Sequence, residues 1–284
     1  LLKGVNIADP YFLDKGDGKF NEALFSTLND WKVKIVRVPV HPGAWIGIAN
    51  YAQLYLDPLV EWAERYGMYI ILDWHAIGNP ISGEEEIPGW EYDPQWTDIY
   101  HPVYESDLTY AKQALGSWAQ RYLTKPWVIY EVFNEPAMIG SAYTWADWKT
   151  KAEELVDAVR TKNPQALVLV SGLCWTSDLR EVGSSPIARD NIVYSVHCYP
   201  NSSQPWESYW GYLKNTLPIM VTEWGYPISG QGTQEDYGAP LLNYMQGRDI
   251  SWTAWCFHPT WQPNMLQNWD YQPTNFGRLV KDNL

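Results

Sequence analysis

Two glutamates are placed where they could do chemistry. Glu135 closes the run Trp127-Val128-Ile129-Tyr130-Glu131-Val132-Phe133-Asn134-Glu135-Pro136, and Glu223 closes Leu217-Pro218-Ile219-Met220-Val221-Thr222-Glu223. Both runs are short and rich in β-branched and aromatic residues, so each reads as a buried strand that empties into polar groups at its carboxyl end. Pro136 cannot continue the pairing and biases Glu135 toward extended backbone. One such ending is explained as well by a strand that stops at a polar turn. Two with the same setting imply one pocket shared by two carboxyls, the raw material of proton-transfer catalysis.

Other strand ends add to that pocket. Collected together they give Arg37, His75, Asn134, Glu135, His197, Tyr199, Glu223 and Trp255, drawn from six different strands. Positioning them takes eight strands, read over residues 2–7, 34–40, 68–75, 127–136, 166–172, 191–200, 217–223 and 250–258. Between them lie apolar stripes at helical spacing, such as Phe20, Leu24, Leu28 and Trp31, then Leu56, Leu59, Val60 and Ala63, a helix over 104–122, then Trp148, Ala152, Leu155, Val156 and Val159. Strands alternating with helices form right-handed βαβ units. Eight of them predict a closed (β/α)8 TIM barrel, a single α/β domain over residues 1–284, with its site on the carboxyl-end face. By the period of two, Val33, Ile35 and Arg37 share a face, and Asp73 and Glu131 share the inward face with His75 and Glu135. Asp73 and Glu131 are expected to be buried partners of the site, Arg37 being one candidate, with solvent bridging the alternative.

Composition narrows the ligand. A formal charge of −13 argues against nucleic acid, anionic membranes and polyanionic substrates. Eighteen Trp and twenty Tyr exceed what a core of 284 residues needs, and their broad apolar faces with polar edges suit sugars. Trp45, Trp145, Trp148, Trp175, Trp206, Trp210 and Trp261 fall within or just after strand-to-helix loops, so some are expected to form sugar platforms; Trp148 belongs to a helical stripe and is expected in the core. Residues 76–102 read as one long loop and a cleft wall carrying Trp90 and Trp96. Its run Glu84-Glu85-Glu86 is a solvated turn rather than a calcium site. Cys174, Cys198 and Cys256 lack metal-ligand spacing and are expected as buried thiols, with at most one disulfide. His41, His75, His101, His197 and His258 show no paired metal spacing, so neither metal nor organic cofactor is expected.

The whole pattern strongly resembles the family 5 glycoside hydrolases, the cellulase and mannanase group, over essentially the full chain. Asn134-Glu135-Pro136, His197-Cys198-Tyr199 and Thr222-Glu223-Trp224-Gly225 carry the resemblance most specifically, supported by Arg37-Val38-Pro39, Asp73-Trp74-His75 and Trp255. The resemblance implies that Glu135 is the acid/base and Glu223 the nucleophile of a retaining double displacement. It further implies that Arg37 and Tyr199 stabilise ionised Glu223, Asn134 holds the sugar 2-hydroxyl, His197 orients Glu135, His75 binds a sugar hydroxyl and Trp255 floors the adjacent subsite. The peptide bond Trp255-Cys256 is expected to be cis. Ala76 departs from family members that place a second polar residue after the histidine, which leaves the substrate contacts there open.

The expectation is therefore an endo-β-1,4-glucanase acting on cellulose or mixed-linkage glucan. A mannanase or glucomannanase is the rival within the family, and a sugar-binding barrel without catalysis the rival outside it. The partner is a polysaccharide, with no nucleic acid and no membrane, and the protein is expected to be a monomer. Export is expected from the size of the substrate, although the chain begins at Leu1 without a signal peptide. Asn201-Ser202-Ser203 is a formal glycosylation sequon.

Overall fold

The computed structural model describes residues 1–84, 107–200 and 202–284. Eight strands form a closed barrel: β1 Lys3–Asn6, β2 Ile35–Val40, β3 Tyr69–Trp74, β4 Val128–Glu131, β5 Val168–Ser171, β6 Ile192–Cys198, β7 Ile219–Trp224 and β8 Ser251–Ala254. Each is parallel to its neighbours, and β1 closes the ring against β8. On its other edge β1 lies so close to β2 that a Cβ on Gly4 would meet the Ile35 carbonyl at 1.7 Å. The eight-stranded α/β barrel expected from the pattern is thus the fold.

Parallel strands need crossovers, and the helices supply them by burying one stripe against the outer barrel face. Trp145–Arg160 buries Trp145, Trp148, Ala152, Leu155, Val156 and Val159, and its start is fixed by a capping box between Thr144 and Asp147. Leu108–Arg121 starts at Asp107, whose side chain accepts from the Thr109 amide; the residues before 107 that were expected in this helix lie outside the described residues. Phe20 precedes the helix Ala23–Asp30 rather than joining its stripe, and packs on Tyr55 and Trp62 instead. Among the described residues, no helix is long and apolar enough to cross a membrane.

Inside the barrel, the period of two stacks one apolar layer beneath one polar layer. Ile35, Ile71, Ile129, Leu169 and Met220 form a buried cluster. Two residues further along the same strands stand Arg37, Asp73, Glu131, Ser171 and Thr222, all wholly buried. The apolar plug excludes water from below, so the polar layer above it must satisfy itself or face the cleft.

Two local irregularities re-aim the site. Between β6 and β7 the register slips: Val196 pairs with Val221 but His197 pairs with Glu223, leaving Thr222 in a bulge. Both Thr222 and Glu223 therefore reach the interior, which strict alternation forbids. Beyond β4, Glu135–Pro136 pairs in parallel with Ile77–Gly78, with the Glu135 amide donating to the Ala76 carbonyl at 3.0 Å. This corrects the expectation that pairing ends at Pro136. The proline lacks only its own N–H, and the Glu135 and Ala137 amides on either side still donate. It also corrects the reading of residues 76–102 as one unstructured loop. Trp90, Trp96, Glu85, Glu86 and His101 lie outside the described residues, as does Asn201 of the sequon.

Candidate active site

Arg37 is the hub of the polar layer. Its guanidinium donates from Nε to Glu131 Oε2 at 2.5 Å, from Nη1 to Asn6 Oδ1 at 2.9 Å and to Glu223 Oε1 at 2.7 Å, and from Nη2 to Asn134 Oδ1 at 2.7 Å. Asp73 Oδ2 lies 3.0 Å from Nη2. Asp73 and Glu131 are therefore the buried partners of Arg37, as their inward positions led one to expect. Three carboxyls around it hold the guanidinium above its already high pKa, against the cost of burial.

Glu223 accepts from Arg37 on one oxygen and from the Tyr199 hydroxyl on the other, at 2.8 Å. Burial pushes its carboxyl up to about 7, while Arg37 and the Tyr199 hydroxyl pull it back toward ionisation. Burial beside Glu223 also keeps the Tyr199 phenol well above its ordinary range, so it remains a donor.

Glu135 stands across the groove. His197 Nδ1 lies 2.8 Å from Glu135 Oε1 and 3.6 Å from Glu223 Oε2. One oxygen of each glutamate and a ring nitrogen of His197 all fall within 4.8 Å of one another. Burial, with the Arg37 charge nearby, holds His197 well below its ordinary pKa. A neutral imidazole with its proton on Nδ1 fits the contact, and it adds no positive charge that would force Glu135 to ionise.

The strand end that carries Asn134 and Glu135 is held from β5 and the turn after it. The Ser171 hydroxyl donates to the Phe133 carbonyl, and the Thr176 hydroxyl donates to the Asn134 carbonyl at 2.5 Å. Cys174, Trp175 and Thr176 reach this position through three consecutive left-handed residues with φ of 52°, 56° and 59°. With Asn134 Oδ1 fixed on Arg37, its buried Nδ2 has no partner among the described residues and is left to donate into the groove.

Trp255 and His75 are parallel, 5.5 Å apart with 3° between planes, and Trp261 also stacks on Trp255 at 6.0 Å and 29°. His75 Nδ1 is tied to Asp73 Oδ2 at 2.6 Å, and burial holds its pKa well below the ordinary value. The peptide bond Trp255-Cys256 is cis, as expected. On the Glu135 side a cavity of about 620 Å³ opens, with Trp175, Arg180, Tyr199 and Tyr209 in its wall.

All eight residues picked out at the strand ends thus belong to one neighbourhood. The wider set of tryptophans divides. Trp145 and Trp210 are buried like Trp148, so they pack the fold and carry no sugar, whereas Trp175 and Trp261 are partly open beside the groove. Trp45 packs on Tyr51 and Trp118, and Trp206 on Tyr237 and Tyr244. All three cysteines carry free thiols, with Cys174 only half-buried.

Sequence reasoning missed Asn6, whose Nδ2 spans to the Thr222 and Ala254 carbonyls while its Oδ1 receives Arg37. An amide ending β1 level with Arg37 was the available signal. Glu135, His197 and Glu223 are residue types that bind metals, but both Glu223 oxygens already accept from Arg37 and Tyr199. A cation there would have to displace those donors and sit beside a guanidinium.

Comparison with known proteins places this geometry. The sequence matches the family description "Cellulase (glycosyl hydrolase family 5)" over residues 3–260. It is 28% identical over 241 residues to Endoglucanase E-5 of Thermobifida fusca, covering 80% of this chain and 46% of that protein. It is 26% identical over 234 residues to an endoglucanase of Clostridium saccharobutylicum, covering 79% and 46%. The chain spans about half the length of the curated relatives it matches. Among solved structures it is similar to β-glucanase SdGluc5_26A from Saccharophagus degradans in complex with cellotetraose. That likeness has a TM-score of 0.89 and 31% identity, covering 99% of this chain and 86% of that one.

Proposed function

We propose, for a chain that belongs to glycosyl hydrolase family 5, the retaining hydrolysis of internal β-1,4 linkages in glucan, with Glu135 as acid/base and Glu223 as nucleophile. The observation that carries this is the approach of Glu135 and Glu223 to within 4.8 Å, oxygen to oxygen. Retaining glycosidases place their carboxyls about 5–5.5 Å apart, whereas inverting ones need about 6.5–9.5 Å to admit a water. The kinship with endoglucanases and with a β-glucanase seen with cellotetraose supports glucan as the substrate.

In the first step a Glu223 oxygen attacks the anomeric carbon as the bond to the leaving oxygen breaks, and Glu135 gives that oxygen its proton. In the second, Glu135 takes a proton from water, the water oxygen attacks the same carbon, and the bond to Glu223 breaks. Two inversions restore the starting configuration. Arg37 and Tyr199 keep Glu223 ionised for attack and then a competent leaving group. Asn134 Nδ2 donates to the 2-hydroxyl, where charge redistributes in the transition state. His75 meets a sugar hydroxyl, and Trp255 floors the subsite beside the scissile bond. Trp175, in the wall of the cavity with Glu135, and Trp261, stacked on Trp255, extend the platform.

Action as a monomer outside the cell, by one catalytic barrel spanning residues 1–284, belongs to the same proposal, because the polymer is too large to be taken up whole. Product anomers followed by proton NMR test the stereochemistry: β-cellooligosaccharide must appear first, and an initial α product overturns the mechanism. Reducing-sugar release from carboxymethyl-cellulose, glucomannan and galactomannan, measured side by side, tests the substrate. Fastest release from galactomannan would make the enzyme a mannanase, and no release from any would leave a sugar-binding barrel.

A further inference from the structure

Arg37 is wholly buried and faces three carboxyls, Asp73, Glu131 and Glu223, of which the first two are wholly buried and the third nearly so. The imidazoles nearest this cluster, His75 and His197, are driven toward neutrality by burial. Full ionisation of the three acids would leave two uncompensated negative charges in a layer sealed from below by isoleucine, leucine and methionine. Such an excess is not tolerated in a low-dielectric interior, and carboxyls escape it by holding a proton.

The hydrogen bonds show where that proton belongs. Glu131 receives Arg37 Nε on one oxygen and the Thr222 hydroxyl on the other. Glu223 receives Arg37 Nη1 on one oxygen and the Tyr199 hydroxyl on the other. Asp73 differs. Its Oδ2 meets His75 Nδ1 at 2.6 Å and pairs with Arg37 Nη2 at 3.0 Å only as an ion contact, the Nη2 hydrogen bond going to Asn134, and its buried Oδ1 has no partner among the described residues. It also has the longest of the three guanidinium contacts. Of the four groups, Arg37, Glu131 and Glu223 therefore prefer their charged forms and Asp73 does not.

We infer that Asp73 carries a proton on Oδ1 in the working enzyme, so that the charge of Arg37 is shared by Glu131 and Glu223 alone. Asp73 is then a positioning residue in the electrostatic sense. It holds the Nδ1 proton of His75 through a neutral carbonyl oxygen, stands beside Arg37, and adds no negative field to the nucleophile. Burial raising Asp73 to about 7, against the pull of Arg37, agrees with the geometry. Other charged or titratable groups near it are Arg37 from β2, His41 beyond that strand, Glu131 from β4 and Glu223 from β7. His41 meets His75 edge-on at 4.8 Å.

The inference deepens the proposed mechanism and in its kinetic arm rests on it, so the test has one arm that needs no turnover. Infrared difference spectra of the folded protein near neutral pH, wild type minus Asp73→Asn and wild type minus Glu131→Gln, should show a protonated-carboxyl stretch lost in Asp73→Asn and kept in Glu131→Gln, over the absorption of protonated Glu135 that all three proteins share. In the second arm, the acid limb of kcat/KM should stay in place for Asp73→Asn, because one neutral group replaces another. It should move down by about 1 pH unit for Glu131→Gln, because a negative neighbour of Glu223 is lost. Circular dichroism confirms that each variant is folded; should Glu131→Gln fail to fold, the infrared comparison of wild type with Asp73→Asn still decides. A difference spectrum in which Asp73→Asn loses no protonated-carboxyl stretch, or an acid limb that drops in that variant, overturns the inference. Loss of the stretch in Asp73→Asn from a protein that hydrolyses no glycan would leave the inference standing and remove the mechanism instead.

Discussion

The Tyr199 hydroxyl donates to Glu223 Oε2 at 2.8 Å, on the opposite side of the carboxyl from Arg37. That bond favours the ionised form, so it lowers the pKa that burial has raised to about 7. Tyr199→Phe removes the donor without opening space. The acid limb of kcat/KM, set by the need for ionised Glu223, should move to higher pH by about 1 unit. Above that limb kcat should fall about 10-fold or more, because the phenol also stabilises the departing carboxylate. A pH–rate profile decides, and a limb that moves to lower pH would contradict the assignment of Glu223 as nucleophile.

Glu135 makes a different prediction because its proposed work is proton transfer. Glu135→Ala should cost about 10²–10⁴ in kcat on glucan, where the leaving oxygen needs a proton. An aryl cellobioside with a good leaving group should lose far less in the first step and accumulate the covalent intermediate. Added azide should then restore turnover and yield a β-glycosyl azide. Recovery of an α-azide would assign the retained nucleophile wrongly.

The barrel itself was legible because its signals are local and repeated. Eight apolar runs, most of them ending in polar or aromatic residues, and amphipathic stripes between them leave little choice of topology. The proposed site residues could be collected for the same reason, since a barrel brings all strand ends to one face. Glu223 shows the limit. Thr222 bonds Glu131 and Glu223 bonds Arg37, although they are consecutive and alternation sends one of them outward. A bulge between β6 and β7 resolves this, and a bulge is a property of pairing between two strands that neither sequence displays alone. The Glu135–Pro136 ladder escaped notice for a related reason: it depends on the amides flanking the proline meeting the Ala76 and Gly78 carbonyls, distant in sequence. Trp145 and Trp210 lie in loops or at their edges yet are buried, because loop position does not determine which way an indole faces.

Arg37 holds the polar layer together, so its loss should be structural before it is catalytic. Arg37→Met keeps the volume of the stem but leaves Glu131, Glu223 and Asn134 Oδ1 without their shared donor. Breaking a buried ion pair by removing one partner typically costs about 3–5 kcal/mol. Denaturant unfolding should show a loss of that size near neutral pH. Because the stranded carboxyls can regain neutrality by binding protons, the loss should shrink as the pH falls toward 4. A deficit that is constant across this range would mean that the acids are not buried as charges.

Glu223 also sets a balance between stability and activity that can be measured. Its carboxyl has a pKa near 4.3 in an unfolded chain and is pushed up to about 7 by burial. Between those values the folded state binds more protons than the unfolded state, so stability falls as pH rises through the window and levels off above it. Glu223→Gln mimics the protonated form and takes no part in that loss. The variant should therefore be inactive yet more stable than the wild type at pH about 8, by on the order of 1–3 kcal/mol, with the gap closing toward pH about 4. Arg37 and Tyr199 keep the gain below what burial alone would give, since the amide accepts their hydrogen bonds less strongly than a carboxylate. Thermal unfolding of both proteins across this range tests the point. A variant less stable than wild type at the alkaline end would mean that Arg37 and Tyr199 more than offset the cost of burying the nucleophile's charge.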